Sequence, residues 1–452
     1  MKILNRVLRI LLIIPASLII ILLLFLAISI APVNRQPVQN TDVYTTMMER
    51  LDSLSVPDQA RAGKFLVGFS KVNLTPAQRT STAGYGKRRG KLFSSVHDSI
   101  YVRSVVIDNG IRRVAVVSAD LLIIPPSVTA VLEKELPSIG FSLDNTYLGA
   151  VHSHNSIGNW GEGAIQFIYG PYQDSVVQFI ASMIIQSIQK ASGSMLESDI
   201  SFADIPVPGL VSNRLIDKGP EDPLLRFIEM SRSDGTRLIM TSFTAHATCL
   251  YSKDLELSAD YPGKFVTRLE AQGYDFAMFM AGSVGSHGCD VPKFGWECID
   301  DMATGLAMAV KEANMNLRPL AGSALWMERV LLVLPDPQVK ISADWKVRSW
   351  VFRSAFREYP AYLTGLRIGN LIMLGTPCDF SGEFDARLDS MAKERNAKLM
   401  FTSFNGGYIG YVTPTVYFDI DHYETRLMNW YPPGNGEYIS ACLEKMLVTM
   451  TE

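Results

Sequence analysis

Apolar and polar positions along this chain recur with several different periods, and each change of period marks an element. Positions 10–32 carry no charged residue, a run long enough to cross a bilayer as a helix. Lys2, Arg6 and Arg9 precede it, so the run reads as an uncleaved signal anchor over 1–32, with the rest of the chain outside the cytoplasm. A cleaved signal peptide is the alternative: Ser29-Ile30-Ala31 offers a weak small-x-small site, with Pro32 unfavourable behind it. Residues 33–62 turn polar and charged and read as a spacer, with one short helix over 45–54.

From 63 onward the periods of a folded body set in. Residues 65–72 alternate as a strand does. Strands over 100–107 and 113–118 flank Asp108-Asn109-Gly110, a strong hairpin signal, and 224–230 and 237–243 flank Ser233-Asp234-Gly235 in the same way. A third hairpin is expected over 364–374. Within 173–191, Val176, Val177, Ile180, Ile184 and Ile188 recur at helical spacing and predict a core-facing helix. Further helices are expected over 128–136, 264–272, 299–314 and 385–395, and short strands over 147–154, 276–280 and 398–401. The tail over 405–438 is rich in tyrosine, glycine and proline. Strands and helices intermix without a strict repeat. This predicts an α/β fold of mixed β-sheets layered with helices, one large domain over 63–452 behind the N-terminal transmembrane helix.

Composition narrows the partners. Nearly half of the 452 residues are hydrophobic, enough for a large core. The formal charge is −3 with scattered basic residues, which gives no electrostatic footprint for nucleic acid. Five cysteines are an odd number. Cys289 and Cys298 share one short loop, where an oxidising compartment would let them bridge, and Cys249, Cys378 and Cys442 sit in apolar surroundings that suit buried thiols. No Cys-x-x-Cys pair exists, which argues against a thiolate zinc knuckle. The mobile glycine-rich stretch 84–90 lacks the Gly-Lys-Ser/Thr ending of a phosphate loop. Val284-Gly285-Ser286-His287-Gly288 misses the Gly-x-Ser-x-Gly elbow at its first position.

The chemistry gathers at strand ends. Tyr147-Leu148-Gly149-Ala150-Val151 runs into His152-Ser153-His154, and side chains two apart on a strand share a face. His246 follows another strand, the 282–287 segment a third, and Asp379 a fourth. Two histidines and a carboxylate from separate strands suit a catalytic zinc, which takes three protein ligands and keeps a position for water. Taken singly, each has an ordinary reading as a cap, a turn residue or a satisfied core histidine.

In order, several blocks resemble the catalytic domain of the neutral (non-lysosomal) ceramidases. Residues 148–158 resemble that family's Thr-His-Thr-His-Ser-Gly block, and Ser212-Asn213-Arg214 its Asn-Arg-Ser segment. Phe243-Thr244-Ala245-His246 with Ser258-Ala259-Asp260 resembles its Ala-Val-His and Ser-Ser-Asp pair. Residues 375–380 resemble its Pro-Gly-Glu-Phe turn, and Tyr411 and Tyr423 are spaced like its two functional tyrosines. The resemblance implies a zinc-dependent amidase. It makes His152, His246, Asp379 (aspartate for the family's glutamate) and Tyr411 the metal ligands. Tyr423 would hold the substrate carbonyl, Arg214 the developing oxyanion, and His154 would act as general acid/base.

Two departures accompany the likeness. The family's Gly-Asp-Val-Ser-Pro-Asn appears as Gly282-Ser283-Val284-Gly285-Ser286-His287, so its serine is Gly285 here, with Ser286 one place along. Attack by zinc-activated water is therefore expected instead of a serine nucleophile, and His287 is expected to add a polar contact. The chain is also expected to lack the family's C-terminal immunoglobulin-like domain. The expected activity is hydrolysis of an amide in an N-acylated lipid of the sphingolipid kind. Its alternatives are another ester or N-acyl carbohydrate substrate, or a non-catalytic envelope binding protein on the same scaffold.

Overall fold

The computed structural model describes residues 2–57, 63–313, 316–357 and 359–452. Among them the body stacks in four layers: helices, a large sheet, a smaller sheet, helices. Strand alternation is the reason. In Tyr101–Asp108, Val102 and Val106 enter one apolar cluster, and Val105 and Ile107 enter another on the opposite face. In Leu371–Thr376 of the second sheet, Leu371 and Met373 face that same inner cluster, whereas Ile372 and Leu374 face outward. Each sheet is thus apolar on both faces and needs cover on both.

The large sheet runs in the order Phe276–Ala281, Arg237–Phe243, Leu224–Arg232, Leu196–Pro206, Leu66–Asn73, Tyr101–Asp108, Arg113–Ala119, Thr146–Ala150, with Arg318–Pro319 beside Leu196–Pro206. The pair at each end is parallel and the pairs between are antiparallel. The smaller sheet orders Leu325–Leu331, Tyr362–Ile368, Leu371–Thr376 and Lys398–Ser403, the last pair parallel. Helices Asp174–Ser192, Asp260–Ala271 and Trp296–Ala313 cover the first sheet. Asp42–Asp52, Asp385–Glu394 and Asn435–Thr451 cover the second. Burying an aliphatic side chain such as Ile180 or Ile184 stabilises by about 1.5–3 kcal/mol.

One feature of the large sheet places the site. It curls until its ends touch: the Ser118 hydroxyl donates to the Phe279 carbonyl at 2.6 Å, and a Cβ at Gly149 would lie 2.1 Å from Met280 Cε. A side chain there would have to displace the Met280 methyl. The carboxyl ends of Thr146–Ala150, Arg237–Phe243 and Phe276–Ala281 therefore open into one place, where Leu371–Thr376 of the other sheet also ends.

Three expectations change. The 33–62 stretch is no simple spacer: Val38, in a short turn, and Met47 and Leu51, on the helix Asp42–Asp52, are buried in the cluster beneath the smaller sheet, against the C-terminal helix. Positions 58–62 of that stretch, and Asn314 at the end of the helix expected over 299–314, lie outside the described residues. The disulfide joins Cys249 to Cys298, not Cys289 to Cys298. The Gly295 N–H donates to the Cys249 carbonyl and lays the start of helix Trp296–Ala313 over that cysteine, while the short strand His287–Cys289 turns Cys289 toward the His246 carbonyl, 3.3 Å away. Finally, the eleven-residue strand Leu196–Pro206 and the helix Asn435–Thr451 were not anticipated. The helix was legible, since Tyr438, Ile439, Cys442, Leu443, Met446, Leu447 and Met450 keep helical spacing.

Arg226 ties the large sheet to the helix Asp385–Glu394. Its buried guanidinium pairs with Asp222 at 2.6 Å and with Asp389. Arg226→Ala strands both carboxylates in a dry interior, and removing one partner of such a network costs about 3–5 kcal/mol. A urea denaturation midpoint that stays at the wild-type value would refute this.

Candidate metal centre

His152 and His154 do converge, but not by strand alternation. The strand stops at Ala150, and His152 takes a left-handed backbone conformation (φ 65°) that turns the chain. A non-glycine residue held there is strained, and such strain collects at functional sites. The outcome is a triangle of ring nitrogens. His152 Nε2 lies 2.9 Å from His246 Nε2, and His154 Nε2 lies 3.2 Å from the first and 2.9 Å from the second. Asp379 Oδ1 sits 3.3 Å from His152 Nε2, is buried, and has no hydrogen-bond partner. The Tyr411 hydroxyl lies 3.4 Å from His246 Nε2.

Backbone pairing explains each placement. Asp379–Phe380 pairs in parallel with Tyr411–Val412, setting Asp379 opposite Tyr411. His287–Cys289 pairs with Val211–Asn213, the Arg214 N–H donates to the Ser286 carbonyl at 2.8 Å, and His246 bridges to Gly288. Arg214 Nη1 then reaches the Tyr423 hydroxyl at 3.2 Å, and that hydroxyl is 3.3 Å from Tyr411's. Tyr423 is 42% exposed while Tyr411 is buried, so the group opens to the outside on the Tyr423 side.

The donor set fits a divalent cation. Three ring nitrogens mutually about 3 Å apart cannot all be satisfied by hydrogen bonds to one another, and a carboxylate oxygen without a partner faces the same point. The outward nitrogen sets the tautomer of His152, whose Nδ1 lies 2.6 Å from the Leu122 carbonyl, whereas His246 Nδ1 lies 3.3 Å from both the Val284 carbonyl and Arg214 Nη2. Donation from Nδ1 leaves an Nε2 lone pair inward. Burial above all, helped by Arg214 and the neighbouring rings, holds His246 well below the ordinary histidine range. Burial, with His152 next, does the same for His154. Neutral imidazoles are the ligating form.

Residues 65–282 match the family model for the neutral/alkaline non-lysosomal ceramidase, N-terminal domain. Over that segment the chain resembles the ceramidase family. Two solved structures share the fold. One is the neutral ceramidase of Pseudomonas aeruginosa, at 16% identity and a TM-score of 0.74 over 86% of this chain and 74% of that one. The other is a ceramidase complexed with C2, at 16% identity and a TM-score of 0.73 over 86% and 75%. Comparison with curated proteins returns no match. The ceramidase segment holds His152, His154, Arg214 and His246, while Asp379, Tyr411 and Tyr423 lie beyond it.

Around this ceramidase-like centre stand residues that sequence reasoning missed. Tyr408 donates to Asp379 Oδ2 at 2.6 Å and so aims Oδ1 at the histidines. Glu424 is fully buried, with Oε1 3.2 Å from Arg214 Nη2, and fixes the guanidinium from behind. Arg88 is buried and donates to the His154 carbonyl (2.6 Å) and to Asn155 Oδ1 (2.8 Å). The 84–90 stretch, expected as mobile, is packed instead: a Cβ at Gly84 would lie 2.4 Å from His154 Cα. Adjacency to Tyr423 was the one available signal for Glu424; Arg88 and Tyr408 gave none. His287 does not reach the triangle. Its Nε2 accepts from the Asp222 N–H at 3.1 Å, so Nδ1–H faces Ser286 Oγ at 3.0 Å, and that hydroxyl donates to Glu383. Ser286 thus spends its proton on a carboxylate.

Proposed function

We propose that this chain is a zinc-dependent hydrolase that cleaves the amide of an N-acylated lipid of the ceramide type, anchored by its N-terminal helix with the catalytic domain outside the cytoplasm. The carrying observation is the convergence of the three Nε2 atoms and the free Asp379 oxygen on one point, with Arg214 and Tyr423 beside it. His152, His246, Asp379 and Tyr411 would hold the ion. When bound, zinc supplies Lewis acidity, polarising a carbonyl and making water nucleophilic near neutral pH.

The chain's own residues supply the remainder. Arg214, fixed by Glu424, and the Tyr423 hydroxyl form a pair of donors where an amide oxygen would gain charge, and preorganised donors in a dry site act most strongly there. His154 takes a proton from the attacking water and returns it to the leaving amine. Its backbone, clamped by Arg88, keeps the ring in place.

The test is hydrolysis of an N-acyl sphingoid base after zinc loading, with fatty esters and N-acetylated sugars in parallel. No turnover on any of the three, in a chain carrying one zinc, would defeat the hydrolase reading. Turnover on esters or sugars alone would move the bond.

A second reading concerns His154 alone. Its Nε2 is as close to His246 as that of His152 is, which suits a third nitrogen ligand. His154→Gln separates the two roles. As acid/base, it should lose about 10²–10⁴ in kcat with zinc content unchanged. As ligand, it should lose zinc as well.

A further inference from the structure

The apolar helix meets the body with no tether between them. Its membrane-length part, Leu11–Ser29, is 19 residues long, about 28 Å at 1.5 Å per residue, against a hydrocarbon core of about 30 Å. The next residue already lies in a sheet: Ile30–Pro32 pairs antiparallel with Trp345–Val347, Ile30 opposite Val347 and Pro32 opposite Trp345. The Arg348 N–H donates to the Ser29 carbonyl at 2.9 Å and its Nε to that of Ile30 at 3.1 Å. The Trp350 indole N–H donates to the Ile28 carbonyl at 3.0 Å, inside the last turn of the apolar helix.

These contacts fix a level. Trp350 is bonded to a residue of the membrane-length segment, and Trp345 stands opposite the third residue beyond it. At about 3.3 Å per residue, Trp345 sits about 10 Å past the helix end, where lipid headgroups begin. Both indoles are exposed, 45% for Trp350 and 51% for Trp345, and Ile341 beside them is 47% exposed. Exposed tryptophans at the membrane–water boundary are the usual anchors of membrane proteins.

We infer that this face, made by Trp345, Trp350 and Ile341, is seated in the headgroup region of a phospholipid bilayer and holds the catalytic domain in a fixed orientation on the membrane. The inference rests on reading the N-terminal helix as a membrane anchor. It goes further, because an anchor alone would permit a freely tumbling domain. It also carries a consequence for the site. The Ser349–Ala355 helix that holds Trp350 packs Phe352 on Trp430 (5.2 Å between rings), Trp430 meets Tyr408 (5.6 Å), and Tyr408 bonds Asp379. The metal centre is thus linked to the seated face through three packed side chains.

The experiment uses the full chain reconstituted in phosphatidylcholine vesicles, part of the lipid brominated near the headgroup end of its acyl chains. Bromine should quench the tryptophan emission of the wild-type chain, and Trp345→Phe/Trp350→Phe should lose most of that quenching while still co-sedimenting with the vesicles. A second measurement needs no variant. Oxidative footprinting in vesicles should spare Trp345 and Trp350 but label Met308, which is equally exposed at 54%. Equal labelling of all three in a vesicle-bound chain, or quenching that the double variant retains, overturns the seated face and leaves the anchor standing. A chain that does not co-sediment overturns both.

Discussion

His246→Ala is expected to yield a folded chain without zinc and with less than about a thousandth of the wild-type activity. The imidazole is fully buried, and its Nε2 is the corner of the triangle that lies 2.9 Å from both other ring nitrogens. Alanine puts nothing in its place. The metal's share of transition-state stabilisation is several kcal/mol, and about 4 kcal/mol corresponds to a thousandfold in rate. His97 provides the control. It stacks on Trp296 at 3.7 Å with half of its side chain exposed and contributes no atom to the triangle, so His97→Ala should keep zinc and activity. Elemental analysis and turnover, with circular dichroism to certify folding, decide the matter. A His246→Ala chain that is folded, zinc-replete and active would remove the metal-centre proposal outright.

The comparison of sequence and structure separates what is local from what is not. The hairpins at Asp108-Asn109-Gly110 and Ser233-Asp234-Gly235 were legible because turn chemistry is written in adjacent residues. The helix Asp174–Ser192 was legible because its apolar stripe repeats every turn. His152 and His154 were recognisable as a pair, yet the reason they converge, a left-handed turn at His152, has no signature in a non-glycine residue. Long-range partners were beyond reach on pattern alone. Nothing near residue 88 says that Arg88 will clamp the His154 carbonyl, and nothing near 249 says that Cys298 will arrive there in place of Cys289. Of the seven candidate site positions, His152, His154, His246 and Asp379 stood out at strand ends, and the ordered short blocks added Arg214, Tyr411 and Tyr423, carrying long-range information that periodicity does not. The 33–57 segment misled because its apolar residues are interleaved with polar ones, although Val38, Met47 and Leu51 are buried.

Gly285→Ser, which writes the family's serine back into this chain, is expected to damage the enzyme, not to improve it. A Cβ at 285 would lie 2.4 Å from the Asp379 carbonyl oxygen and 2.9 Å from its carbon. Both are backbone atoms of a proposed ligand, and no side-chain rotation relieves the clash. Gly285 is also held on two sides: its N–H donates to the Phe380 carbonyl at 2.8 Å, and its own carbonyl accepts from Arg214 Nη2 at 3.1 Å. Overpacking of this kind costs about 1–3 kcal/mol. Activity should fall further than stability, because pushing Asp379 by about 1 Å misplaces a reacting geometry, worth about a hundredfold. Gly285→Ala distinguishes the causes, since it brings the same Cβ without the hydroxyl. Equal losses in the two variants identify sterics around Asp379 and leave activated water as the nucleophile. Should the serine variant instead exceed wild-type turnover while the alanine variant fails, a hydroxyl at 285 would be taking part in the chemistry. The water mechanism proposed for this chain would then have to be given up.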